Sequence, residues 1–167
     1  MGQVLAMDFS KVIPAWFFQL CENTPPGSWA KHSGLIFPII ETFHLLALAM
    51  LLGSLLIVDL RLLGYGMRRQ SAAQLSKYFE PWTMGGLALT VTTGIPMFMM
   101  GAIGLSHITW FFYKMVILLV AVTLHFAFHR KAVASGASPE LGKRVAYLSL
   151  TLWWCVAIAG RAIGFFV

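Results

Sequence analysis

The sequence predicts an all-α fold: an integral membrane four-helix bundle with a short N-terminal interfacial helix. Three observations lead there. The 167 residues are 59% hydrophobic and 11% charged, against about 25% charged residues in soluble domains. The mean hydropathy is +0.78. Four apolar stretches each approach the ~20 residues that cross a bilayer.

Residues 1–34 cannot span and form an extracytoplasmic interfacial segment, with the bundle occupying 35–167. Val12, Trp16, Phe17 and Leu20 recur at helical spacing and Ser10 is a candidate cap. A short helix lying in the interface or covering the bundle is expected, ended by the Thr24-Pro-Pro-Gly27 break. No cation precedes Lys11, and no short apolar core ends at a small-residue cleavage site, so the segment reads as retained.

The first span runs over about Leu35–Leu63 and the second over about Pro81–Leu105. The third covers about Thr109–His129 and the fourth about Arg144–Val167. The link Ser106–Ile108 is so short that spans two and three should form a tight antiparallel hairpin. Thr93-Gly-Ile-Pro96 predicts a kink in span two. Ala157, Gly160 and Gly164 form a small-residue stripe on span four. It serves helix packing inside the bundle or a homo-oligomer contact.

Cations set the orientation. Arg61, Arg68, Arg69, Lys77, Arg130, Lys131, Lys143 and Arg144 fall on one side of the membrane, and only Lys11 and Lys31 on the other. The positive-inside rule puts the eight in the cytoplasm and both termini outside it. The same rule explains the pI of about 9.7 without a nucleic-acid partner. Cys21 and Cys155 lie in different settings, and no bridge is expected.

Ionisable groups inside spans are expensive and mark interior faces. Glu41, His44 and Asp59 of span one fall within about 60° on a helical wheel. At ~1.5 Å per residue, His44 lies roughly 13 Å from the outer boundary and Glu41 roughly 9 Å. Lys114 lies roughly 8 Å deep, Arg161 roughly 9 Å, and Met97 and Met100 roughly 12 and 8 Å. All four spans thus bring a polar or sulfur group to the outer half. A second layer near the cytoplasm holds Asp59, Arg61, His125 and His129. Its simplest account is boundary chemistry, with Asp59 paired to a loop cation and His129 meeting water.

Three chemistries fit the outer layer. Haem b needs an axial histidine, often with a second His or Met, and cations for the propionates. His44, Met97, Lys114 and Arg161 would serve. His125 differs from His44 by roughly 11 Å in depth, so it ligates the same ring only with a large tilt; His107 is too shallow by a similar amount. Copper suits His44 with Met97, Met99 and Met100, although Met also fills apolar space. The third account has no cofactor: Glu41 pairs with Lys114 or Arg161, and His44 binds a carbonyl. No Cys-x-x-Cys-His, His-Glu-x-x-His, Gly-x-Ser-x-Gly or phosphate loop is present. Catalysis by the chain alone is not expected. An electron-passing, partner-anchoring or accessory subunit fits its size.

Glu41-Thr-Phe-His44-Leu-Leu-Ala-Leu-Ala-Met-Leu-Leu-Gly-Ser54 with Asp59-Leu-Arg-Leu-Leu-Gly64 resembles a family of small bacterial four-span membrane proteins of unknown function. The likeness continues through Pro81-Trp82, Thr93-Gly94, Phe112-Tyr-Lys114, Ser149-Leu-Thr-Leu-Trp153 and Gly160-Arg-Ala-Ile-Gly164. It covers the spans and implies family positions at His44, Asp59, Arg61, Lys114 and Arg161. His125 and His129 look less typical. The architecture is similar to the copper-resistance D membrane domain and to small b-type cytochromes. The resemblance implies a bacterial inner-membrane location but carries no biochemical role; membrane or extracytoplasmic redox partners are what the haem reading would require.

Overall fold

Helix capping and proline chemistry, as much as hydropathy, decide where each helix begins and ends. The computed structural model describes residues 9–25, 34–66, 69–134 and 138–165. Lys31, Arg68 and the predicted end of span four at Val167 lie outside the described residues. Among the described residues all regular structure is helical.

A 3-10 turn, Phe9–Lys11, precedes α1, Ala15–Glu22. The spans are α2, Ile36–Leu62; α3, Ala72–Met100; the run Thr109–Val133; and α7, Pro139–Ile163. A short helix α4, Ala102–Ser106, links spans two and three. Span three comprises α5, Thr109–Leu124, a π turn over His125–His129, and α6, Arg130–Ala134. All four are long and apolar enough to cross a membrane, so the chain is a multi-pass membrane protein.

Hydropathy places the start of span two nine residues late, at Pro81 instead of Ala72. A capping box explains the difference. Ser71 Oγ accepts from the Gln74 backbone N–H, and Gln74 Oε1 accepts from the Ser71 N–H. This reciprocal pair satisfies the free donors of the first turn and starts the helix in polar sequence. Span four likewise starts early, with Pro139 in its first turn, where a missing N–H costs nothing. Span one ends in a Schellman motif. Tyr65 N–H donates to Leu60 C=O and Gly64 N–H to Arg61 C=O. Gly64 has φ +91°, a conformation that a side chain would strain.

Spans one and two form the tightest pair. His44 faces Thr93, Leu51 faces Gly86, and Ser54 faces Thr83, successive rungs of one antiparallel register. A Cβ on Gly86 would lie 2.8 Å from the Leu51 backbone nitrogen, so only glycine permits this crossing. The Ser54 and Thr83 hydroxyls bond at 2.8 Å across it. Spans three and four pack together, and span four also packs on span one. Leu51, Leu55, Ala121 and Trp153 make the shared core.

The predicted tight hairpin of spans two and three is not formed. Span two stops at Met100, and α4 intervenes. These spans meet chiefly at their ends. Arg130 pairs with Glu80 at one end, and Phe98 stacks on Phe111 at the other, centroids 5.7 Å apart.

The N-terminal segment closes that second end. Phe18 of α1 is buried and meets Phe98 edge-on, while Phe9 meets Phe111 and Phe112. Glu22 accepts a bond from the Ile103 N–H at the start of α4. The predicted stripe of Val12, Trp16, Phe17 and Leu20 is exposed, as an apolar face lying in a membrane interface would be. Ser10 does not cap α1; Pro14 holds the N-cap position. Cys21 and Cys155 are free thiols.

Candidate functional site

His44 is 8% exposed and its ring is fixed from span two. Nδ1 lies 2.8 Å from Thr93 Oγ1. The Thr93 hydroxyl has one proton, and it sits 2.7 Å from the Leu89 carbonyl, which can only accept. With that proton on the carbonyl, the hydroxyl accepts toward His44 and Nδ1 carries the ring proton. Nε2 is then the nitrogen with the free lone pair, and no hydrogen bond to it is formed among the described residues. Gly94 lets the ring sit this close: a Cβ there would lie 3.3 Å from His44 Cε1. One helical turn back, the buried Thr90 Oγ1 has no hydrogen-bond partner among the described residues.

Lys114 is the second member of this layer. Its side chain lies along span four beside Gly160. A Cβ on Gly160 would come within 3.6 Å of Lys114 Cε and Nζ. Lys114 is half-buried and makes no ion pair among the described residues. Met97 is half-buried, one turn beyond Thr93 on the same face of span two.

Two other predicted members face elsewhere. Glu41 is exposed, and no ion pair joins it to Lys114 or Arg161. Arg161 is also exposed; its guanidinium lies over the Phe165 ring, 4.7 Å from the centroid. That contact occupies Gly164, whose Cβ position is 3.2 Å from Arg161 Nη1. The stripe glycines thus meet side chains of their own chain. His107 is exposed at the end of α4.

The basic end holds a second polar cluster that departs from the boundary account. Asp59 is 0% exposed and pairs with His129 rather than with a loop cation, Oδ1 to Nε2 at 2.7 Å. His129 is 4% exposed and does not meet water. Arg61 instead donates to the Gln70 carbonyl. The His125 and His129 rings stack, with centroids 5.0 Å apart and planes 25° apart. His125 also stays in this layer, away from the His44 rung. The π turn does this, since its i→i+5 bonding aims both histidines inward. Asp59 Oδ2, His125 Nδ1 and Ser149 Oγ are buried without partners among the described residues. No set of three His, Cys, Asp or Glu among the described residues could hold a metal ion.

Ser149 and the Asp59–His129 pair were not read as site residues in the sequence. The available signal was depth: Asp59 and His129 both end their spans at the same boundary.

The chain belongs to the family of unknown function DUF6644, whose model matches residues 17–166. That span contains His44, Lys114 and the whole Asp59–His129 cluster. No curated protein and no solved structure matches the chain, so the expected likeness to the copper-resistance D domain and to b-type cytochromes finds no support in these comparisons.

Proposed function

We propose that the protein is a b-type haem subunit of the bacterial inner membrane that passes electrons or anchors a redox partner. His44 is its axial ligand. One observation carries this reading: Thr93 holds Nδ1–H, so Nε2 is left as an oriented, unpartnered lone pair in an apolar layer. Ligating histidines are commonly held this way, by an oxygen on the far ring nitrogen. Met97, on the same face of span two as Thr93, is the candidate second ligand through its thioether. Bound haem would supply one-electron carriage.

Lys114 favours haem over copper in this reading. An unpaired cation inside a span calls for an anion. A haem propionate supplies one, whereas a copper ion near His44 would be repelled by the same charge. Arg161, at the surface, is placed for a propionate only where the ring edge leaves the bundle. The basic end faces the cytoplasm by the positive-inside rule, with both termini on the other side.

The test is the absorption spectrum of the purified full-length chain, reconstituted with haem, oxidised and reduced. The reading expects a Soret band that shifts on reduction and is lost in His44→Ala. A folded wild-type chain with no Soret band rejects it. Stoichiometric copper in that chain, lost with His44, points instead to copper handling. Neither group, with His44→Ala leaving assembly intact, points to a scaffold subunit.

A further inference from the structure

The π turn and span four enclose a cavity of about 310 Å³ at the basic half of the bundle. His125, His129 and Ser149 line it, together with Trp153. Phe128 and Leu148 of its wall are exposed on the apolar surface, so the mouth opens toward lipid. A membrane molecule can enter it sideways. For scale, a dry cavity of about 150 Å³ holds benzene. This one therefore has room for a substituted single ring.

The polar atoms at its edge set the chemistry. The buried His125 Nδ1 has no partner among the described residues, and such orphans usually meet water or a ligand; the Ser149 hydroxyl lies beside the Asp59 carboxyl without a close hydrogen bond to it. His129 is held by Asp59 at 2.7 Å. With Asp59 as the carboxylate, His129 Nε2 donates to it and Nδ1 is left as an acceptor. A hydroxyl on a ring can donate to such a nitrogen and accept from Ser149. Apart from the exposed Arg144 at its rim, the remaining wall is apolar, which suits a ring.

We propose that this cavity binds a lipid-soluble quinol or phenol: one apolar ring bearing a hydroxyl group that bonds to the histidine pair and Ser149. The site is independent of His44 and of any haem.

The probe is a decyl-substituted benzoquinol, titrated calorimetrically under anaerobic conditions into the full-length chain in detergent. The expected result is saturable one-to-one binding. Ser149→Ala and His125→Phe should each weaken it by about fivefold or more, the worth of one hydrogen bond. A decyl-alkylbenzene of similar size without hydroxyls should bind far more weakly. His44→Ala should bind like wild type, which separates this site from the haem reading. Absence of saturable binding in folded wild type overturns the proposal. So does equal affinity for the hydroxyl-free ring, or a folded Ser149→Ala chain that binds like wild type. Ser149→Ala removes a single oxygen and keeps the test sound if His125→Phe does not fold.

Discussion

Thr93→Val tests how His44 is held. Valine matches threonine in shape, so the change opens no large cavity. It deletes the oxygen 2.8 Å from His44 Nδ1 and leaves the ring only the weaker contact with the Thr90 backbone in a site 8% exposed. A buried donor that loses its partner costs ~1–3 kcal/mol. The ring can escape by moving its proton to Nε2, but Nε2 then no longer ligates. At ~1.4 kcal/mol per tenfold, haem affinity should fall about 5- to 150-fold. That range agrees with the ~10–100-fold typical of losing a group that orients a ligand. The assay is a haem titration followed in the Soret region, with wild type, Thr93→Val and Thr93→Ser side by side. Serine keeps the accepting oxygen and should behave as wild type. Equal affinity of the valine variant and wild type would refute the argument, as would a serine variant as weak as valine.

Other consequences follow from single contacts. Gly86→Ala drives a Cβ to 2.8 Å from the Leu51 backbone nitrogen; overpacking of this kind costs ~1–3 kcal/mol, read as a lower melting temperature in detergent. Asp59→Leu leaves His129 without its partner in the interior and should cost about 3–5 kcal/mol, while Asp59→Leu with His129→Leu recovers much of it. Glu80→Gln breaks the half-exposed pair with Arg130 and should change stability by less than ~1 kcal/mol, so a larger loss would mean that this contact closes the basic end. Phe18→Ala removes the buried anchor of α1 and should make cleavage between α1 and span one faster in limited proteolysis. A cysteine in place of Lys143, in a chain with Cys21 and Cys155 replaced, should react with an impermeant maleimide only from the cytoplasmic side.

The sequence made the spans legible because a bilayer reads them by composition. Span one, expected at Leu35–Leu63, forms Ile36–Leu62. What hydropathy missed was polar: the Ser71–Gln74 box starts span two before its apolar stretch, and α4 ends it before Leu105. At the site, depth along a helix placed His44 and Lys114 in one layer and kept His125 in the other. The helical wheel puts Glu41 on the face of His44 and Asp59, yet near the outer end of span one that face is exposed at Glu41; Arg161, at the right level on span four, also faces outward. The Asp59–His129 bond escaped notice because a loop cation and water account for two groups at one boundary, while the fold buries both.

The two layers use one device to different ends. Each buried histidine is fixed through one ring nitrogen by an oxygen on another span, His44 by Thr93 and His129 by Asp59. The hydroxyl of Thr93 spends its only proton on the Leu89 carbonyl. It can therefore orient His44 but cannot take a proton from it, which suits a nitrogen kept ready for a ligand. Asp59 has a second oxygen, buried near Ser149, and a carboxylate behind an imidazole fixes its orientation and tautomer. That arrangement suits a ring facing an acidic hydroxyl. If the assignments were exchanged, the haem ligand would carry a buried carboxylate behind it and the hydroxyl-binding histidine would lack one. The oxygen behind each histidine is thus the reason to read the His44 layer as a ligand site and the His129 layer as a hydroxyl-binding one.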